Sequence, residues 1–198
     1  MFMTKVLGKI AGGFLDLVET VAISLSIFLV VYLVIMQPHQ VNGQSMVPNF
    51  QHGEHVMTDK ISYKFREPRR GEVVVFHAPP AAECVEGTGC DFIKRIIALP
   101  GDRVAVRDNA IWVNGQKLIE SYIPANFEIS PGRATLNEEI YLGADEYFVS
   151  GDNRPHSSDS RSWGAIKKSD IVGRVFLRYW PLNEISLIEK VEYLTNFN

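Results

Sequence analysis

Ser45 stands in the stretch "NGQSMVP", Asn42 to Pro48, with Gly43 two residues before it and Pro48 three after it. Glycine and proline favour an irregular backbone, which exposes a side chain and lets another chain come close. A serine hydroxyl becomes a nucleophile only when a neighbouring base takes its proton. His39, His52, His55, His77 and His156 are all available, and composition excludes none of them, although none sits in a nucleophile-elbow setting. The spacing of His52 and His55 could suggest a metal site, but "FQHGEHVMTDK" reads as a turn entering a strand, not as a helix presenting two ligands.

Lys94, in "CDFIKRIIALPGD", is the other candidate base. Strand alternation places Phe92, Lys94 and Ile96 on one face and Ile93, Arg95 and Ile97 on the other. A lysine flanked by apolar side chains loses hydration, which disfavours the ammonium form. At an ordinary pKa only about one lysine in 2,500 is neutral at pH 7, and lowering the pKa by about two units leaves a usable fraction of free amine. The competing reading is a lysine that snorkels from a sheet edge.

The third dense segment is "GDNRPHSSDSRSWG", Gly151 to Gly164. Such a polar loop is ordinarily solvated. Its functional reading is a frame in which Asp152 and Asp159 pair with Arg154, Arg161 or Arg95 and a serine hydroxyl orients the base.

Holding these groups together takes a scaffold, and the sequence reads as mostly β after residue 38. "EVVVFHA" (Glu72 to Ala78) and "YFVSG" (Tyr147 to Gly151) are short β-branched and aromatic runs bounded by turn residues. "DRVAVRDNAIWVNGQKL" predicts a meander turning at Asp108-Asn109 and at Asn114-Gly115. "GRVFLRYWP" predicts another strand, stopped by Pro181. The expectation is a single β-rich domain of coiled, barrel-like antiparallel sheets over residues 39–198.

Residues 1–38 differ in character. "TVAISLSIFLVVYLVIMQ", Thr20 to Gln37, carries no charge, and about 18 to 20 such residues suffice for a helix to cross the hydrocarbon core. The run ends "YLVIMQPHQ", with no small-x-small cleavage site, so an uncleaved signal-anchor is preferred over a removed secretory peptide. Lys5 and Lys9 precede the span and the next basic residue is Lys60, which predicts a cytoplasmic amino terminus, a single pass and an extracytoplasmic domain. The segment ahead of the span either lies along the cytoplasmic face or extends the helix inward. Cys84 and Cys90 enclose a short loop in which an oxidising compartment would permit a disulfide; spacing alone leaves the pairing open.

Composition narrows the partners. A net charge of −3 over 198 residues without a long basic run argues against nucleic acid. There is no internal repeat and no low-complexity tract.

An anchor followed in order by "SMVP" (Ser45 to Pro48), "RRGEVVVF" (Arg69 to Phe76), "KRIIALPGD" (Lys94 to Asp102) and "GDNRPHSSDSRSWG" resembles the type I signal peptidases, membrane-bound Ser/Lys endopeptidases. The resemblance implies that Ser45 is the nucleophile and Lys94 the general base, that Ser157 hydrogen-bonds the Lys94 amine, and that Asp152, Asp159, Arg95 and Arg161 support the site. It implies a β-rich fold with an apolar surface near the bilayer, and shallow pockets for small side chains at the first and third residues before the cut. Met46, Phe76, Ile96 and Ile97 are the candidate pocket walls. The expected partners are signal-peptide-bearing preproteins and the lipid bilayer, with a secretion translocon left open; no metal or cofactor is expected. Gly43 stands where some members carry a serine that supports the oxyanion hole, leaving the Ser45 N–H as one donor and a second unassigned. Asn49, Ala98, Pro155 and His156 also depart from the commoner residues. Two other classes share part of the pattern. A self-cleaving Ser/Lys repressor would need a DNA-binding helical module where the span stands, and a non-catalytic tethered β-domain would need neither Ser45 nor Lys94.

Overall fold

The computed structural model describes residues 2–84 and 90–193, with side chains from residue 12 onward. A long helix, α1 (Phe2–Val30), continues through a π-helical turn (Val31–Ile35). Gly12–Ile35 within it is long and apolar enough to cross a membrane, and none of it is buried by the protein. The segment ahead of the apolar run therefore continues the helix. The charges of Lys5 and Lys9 lie outside the described side chains.

Twelve strands follow: β1 (Met36–Gln40), β2 (His55–Asp59), β3 (Val73–His77), β4 (Asp91–Ala98), β5 (Arg103–Arg107), β6 (Ala110–Val113), β7 (Gln116–Lys117), β8 (Ile140–Tyr141), β9 (Glu146–Ser150), β10 (Ile166–Lys167), β11 (Ile171–Trp180) and β12 (Ser186–Leu187). Two single-turn helices interrupt them, α2 (Ser62–Phe65) and α3 (Ser160–Trp163). The larger sheet runs β1-β2-β11-β3-β4-β9-β10 with β12 beside β11, the smaller runs β7-β6-β5-β8, and every pairing is antiparallel.

The meander forms where its turn residues place it. Asp108, Asn109, Asn114 and Gly115 all have positive φ, the backbone a type I′ hairpin needs and that Asn, Asp and Gly tolerate best. β1 was not legible as a strand, because "MQPHQ" has no alternation. It exists as an edge strand on β2, where Pro38 is admissible. It begins at Met36, so the first strand straddles the 38/39 boundary drawn from hydropathy.

The larger sheet is covered on both faces. Along β3, Val73 and Val75 pack with Val41, Met46, Phe50, Val56 and Val175, whereas Val74 and Phe76 pack with Ile96, Tyr147, Val149 and Trp163 on the other side. The opposite ends of β4 and β9 join the smaller sheet around Val104, Ile111, Val113 and Phe148. A strand buried on both faces reads as a continuous apolar run, as "VVVF" does.

Candidate active site

The loop after β1 carries Ser45 over the Val73/Val75 face of the sheet. Met46 and Phe50, both about fully buried, pin it there. Val47 N–H bonds the Gln44 carbonyl and Phe50 N–H the Met46 carbonyl, closing the loop into consecutive turns. From the other side, Asn153 reaches in: its N–H donates to the Ser45 carbonyl at 2.9 Å and its Nδ2 to the Gln44 carbonyl at 3.0 Å. Gly43 adopts φ +92°, a conformation glycine tolerates best, and its N–H donates to His52 Nδ1. Its amide is thereby engaged, and it has no hydroxyl to offer a developing oxyanion. Among the described residues the Ser45 N–H has no acceptor.

Lys94 comes from the middle of β4, paired across to Val74. Its Nζ stands 2.8 Å from Ser45 Oγ, 3.0 Å from the Ile93 carbonyl and 5.3 Å from the centre of the Phe92 ring. The lysine is 5% exposed. Burial pushes its pKa down from the ordinary lysine value to about 8, against the opposing pull of Asp159 and Asp152. Among the described residues no histidine hydrogen-bonds Ser45. His52 serves Gly43, His39 bonds Thr58 Oγ1, and His77 pairs with Asp91. His52 and His55 do not converge; His55 lies in β2 beside Tyr179.

The polar loop is a frame of buried ion pairs. Arg95, next to Lys94, makes two bonds to Asp152, at 2.8 and 2.6 Å, and a third to the Gly71 carbonyl. Asp159 caps α3 through the Arg161 N–H and accepts from the Arg161 guanidinium, Ser150 Oγ and the Gly151 N–H. Burial works against the Asp159 charge, but these donors outweigh it and hold the carboxyl below its ordinary range. Arg154 turns away from both aspartates to grip Glu120 with two 2.5 Å bonds and Tyr122 with a third. Neither Glu120 nor Tyr122 has a sequence signature; only the burial of an arginine demanding a counter-charge could have pointed to them. Asn49 fills a similar role, donating to Asp152 and to the Tyr122 carbonyl.

Two expectations are corrected here. Ser157 is half-buried beside the site, and its hydroxyl oxygen is inaccessible yet makes no hydrogen bond. It packs against the Cα of Gly151, where a Cβ would collide with both Ser157 Oγ and the Ser45 carbonyl, so in this arrangement it does not orient the lysine. The candidate pocket walls Met46, Phe76, Ile96 and Ile97 are all at most 1% exposed and belong to the core. The cleft beside Ser45 and Lys94, about 590 Å³, is walled by Val41, Val56, Val75 and Ile93, with His39 and Asp91 towards one end. The error is one of alternation: Val75 and not Phe76 points to the loop, and a single-residue step along a strand exchanges its faces. Cys84 and Cys90 are joined in a disulfide, with Cα atoms 5.8 Å apart; residues 85–89 between them lie outside the described residues.

A serine hydroxyl facing a desolvated amine, at the floor of an open cleft in an antiparallel β domain, is equipment with which a hydrolase can transfer acyl groups. A family model described as signal peptidase, peptidase S26, matches residues 14–180. The chain belongs to this peptidase family. It is 35% identical over 176 residues to a probable signal peptidase I-2 of Synechocystis sp., covering 88% of this chain and 77% of that protein. It is 34% identical over 182 residues to signal peptidase IB of Staphylococcus aureus, covering 86% and 91%. A crystal structure of a signal peptidase I from Enterococcus faecalis V583 is 30% identical and covers 55% of this chain and 97% of its own; its TM-score of 0.43 is too low to argue from.

Proposed function

We propose that this chain is a membrane-anchored endopeptidase that removes signal peptides from exported preproteins, with Ser45 as nucleophile and Lys94 as general base. The observation that carries this reading is the 2.8 Å approach of Lys94 Nζ to Ser45 Oγ in a setting whose burial lowers the lysine pKa to about 8. Ser45 Oγ attacks the scissile carbonyl carbon while its proton passes to Lys94 Nζ. The oxyanion forms beside the Ser45 N–H, whose carbonyl neighbour is already fixed by Asn153. The C–N bond then breaks, Lys94 returns the proton to the departing amine, and an ester on Ser45 remains. Lys94 next deprotonates a water that hydrolyses this ester.

The apolar helix supplies the anchor. With Lys5 and Lys9 ahead of it, the amino terminus is cytoplasmic, the chain passes the membrane once and residues 39–198 are outside. Ser45, ten residues beyond the span's end at Ile35, then stands where a membrane-inserted signal peptide presents its cleavage site. Sharing one plane with the substrate raises the effective concentration. The branched walls Val41, Val56, Val75 and Ile93 leave room for small side chains, in keeping with a small-x-small pattern.

The test is cleavage of a preprotein bearing an Ala-x-Ala site by detergent-solubilised wild type, Ser45→Ala and Lys94→Ala, with folding followed by circular dichroism. Only the wild type should cut, after the second alanine. Undiminished cutting by Lys94→Ala would remove the lysine from the mechanism.

A further inference from the structure

Away from the active site, a second cavity of about 590 Å³ opens where the helix meets the domain. Leu33 and Val34, in the last turn of the apolar helix, form one side, and Lys60, Tyr63, Lys64 and Lys168 the other. Among the described residues no carboxylate lines it. We propose that this cavity binds the phosphate of an anionic phospholipid of the outer leaflet, such as phosphatidylglycerol. The inference rests on the membrane anchoring proposed above.

The position follows from the span. Gly12–Ile35 is the stretch able to occupy the hydrocarbon, so groups level with Leu33 and Val34 stand at the boundary where lipid phosphates begin. The lysines at that level differ in how far they are engaged. Lys60 Nζ donates to the Leu33 carbonyl and to Gln37 Oε1, tying the helix end to the domain. An ammonium has three protons, so one remains for a ligand. Lys168 pairs with Glu67 at 2.6 Å in an exposed bridge, the kind that exchanges partners at little cost. Lys64 makes no ion pair among the described residues. Two acids adjoin the lining residues along the chain, and both are occupied: Asp59 by Ser62, the Ile61 N–H and Arg174, and Asp170 by the Lys167 N–H and Ser169 Oγ.

The neighbouring residue adds an apolar argument. Phe65, directly after Lys64 in α2, is 84% exposed and belongs to none of the apolar clusters of the domain. A phenyl ring presented beside a lysine at the end of a span suits the interface, where the ring enters the acyl boundary while the ammonium stays with the headgroups. Positive charge, an apolar wall of helix and an outward phenyl together fit a lipid better than a free anion, which would need neither Leu33, Val34 nor Phe65.

The experiment uses the full chain, reconstituted in phosphatidylcholine vesicles and checked by flotation, with spin-labelled phosphatidylglycerol or phosphatidylcholine as the probe. The immobilised fraction gives the relative association of the two lipids. Wild type should favour phosphatidylglycerol, and Lys64→Gln/Lys168→Gln should reduce that preference by about fivefold for each charge removed at low salt. These side chains lie outside the cleft, so cleavage of a soluble substrate in detergent should be unchanged. A preference that survives in the double variant but disappears in Lys5→Gln/Lys9→Gln would overturn the site in favour of the opposite leaflet. Inorganic phosphate displacing the labelled lipid would reassign the cavity to a free anion. Flotation without any headgroup preference would overturn the lipid site alone, and failure to float would overturn the anchoring as well.

Discussion

Two adjacent residues of one strand, Lys94 and Arg95, are both buried cations, and their surroundings treat them in opposite ways. Arg95 lies against Asp152 in a two-bonded ion pair and donates a third bond to the Gly71 carbonyl. Burial opposes its charge, but the Asp152 carboxylate outweighs burial and the guanidinium pKa is raised. Lys94 has only a hydroxyl, a carbonyl and a phenyl ring within reach. Asp159 and Asp152 act on it from a distance and fail to compensate for burial, so its pKa falls to about 8. Burial alone therefore does not make a base. The site withholds a carboxylate from one cation while supplying one to its neighbour, and the pairs Arg95–Asp152, Arg161–Asp159 and Arg154–Glu120 give each buried arginine of the frame a counter-charge.

Replacing each kind of residue should move activity and stability in different directions. Lys94→Met should lower cleavage by about 10⁶-fold, the order seen when an acyl-transfer base is removed. It should also raise stability at pH 7. A lysine whose folded pKa lies below its unfolded value binds fewer protons when folded. That penalty is fully present below about pH 8 and disappears as pH rises towards 10.5. The gain at pH 7 should reach about 3 kcal/mol, read by denaturant unfolding of the detergent-solubilised chain, and should shrink above pH 8. Asp159→Ala should do the reverse, costing about 3–5 kcal/mol because Arg161 is left buried and unpaired. Equal signs for the two variants would break the contrast between them.

The pH profile sharpens the same contrast. With Lys94 near 8, kcat/KM should climb tenfold per unit at acid pH and level off above about 8, so that activity at pH 6 is roughly a hundredth of the plateau. A profile that levels off near pH 6 would point to a histidine, and His39, whose pKa burial lowers further, would be the first to examine.

Ser45 and Lys94 could be singled out because a serine between turn residues and a lysine inside an apolar run are local patterns, but joining them as a dyad rested on the family resemblance. The frame was legible only in composition. "GDNRPHSSDSRSWG" announces two acids and two arginines, but which pairs form depends on partners far along the chain, 57 residues for Arg95–Asp152 and 34 for Arg154–Glu120. The pocket was misread for a related reason. On "VVVF" and "IKRII" both strand faces are apolar, so periodicity cannot say which one receives the Ser45 loop. β1 escaped notice because its strand character comes from β2 and not from its own residues.

The smallest of these effects tests how closely the frame approaches Ser45. Gly151 does not need positive φ; it is constrained because the Ser45 carbonyl and Ser157 Oγ both lie where a Cβ would go. Gly151→Ala must push one of them away. Overpacking of this kind costs about 1–3 kcal/mol, and here the structure offers two ways to yield. If the Ser157 side chain rotates, stability falls slightly and kcat holds. If the loop backbone shifts, the Asn153 bond to the Ser45 carbonyl lengthens, Ser45 Oγ leaves its 2.8 Å position against Lys94, and kcat falls with little change in KM. Because Ser157 has no hydrogen bond to give up but its hydroxyl oxygen is enclosed against Gly151, while the Ser45 loop is anchored through buried Met46 and Phe50, both movements meet resistance. The expected outcome is a combined loss, with a kcat reduction of about tenfold at pH 8 and a measurable drop in Tm. Unchanged kcat and Tm together would show that the frame does not press on the Ser45 loop.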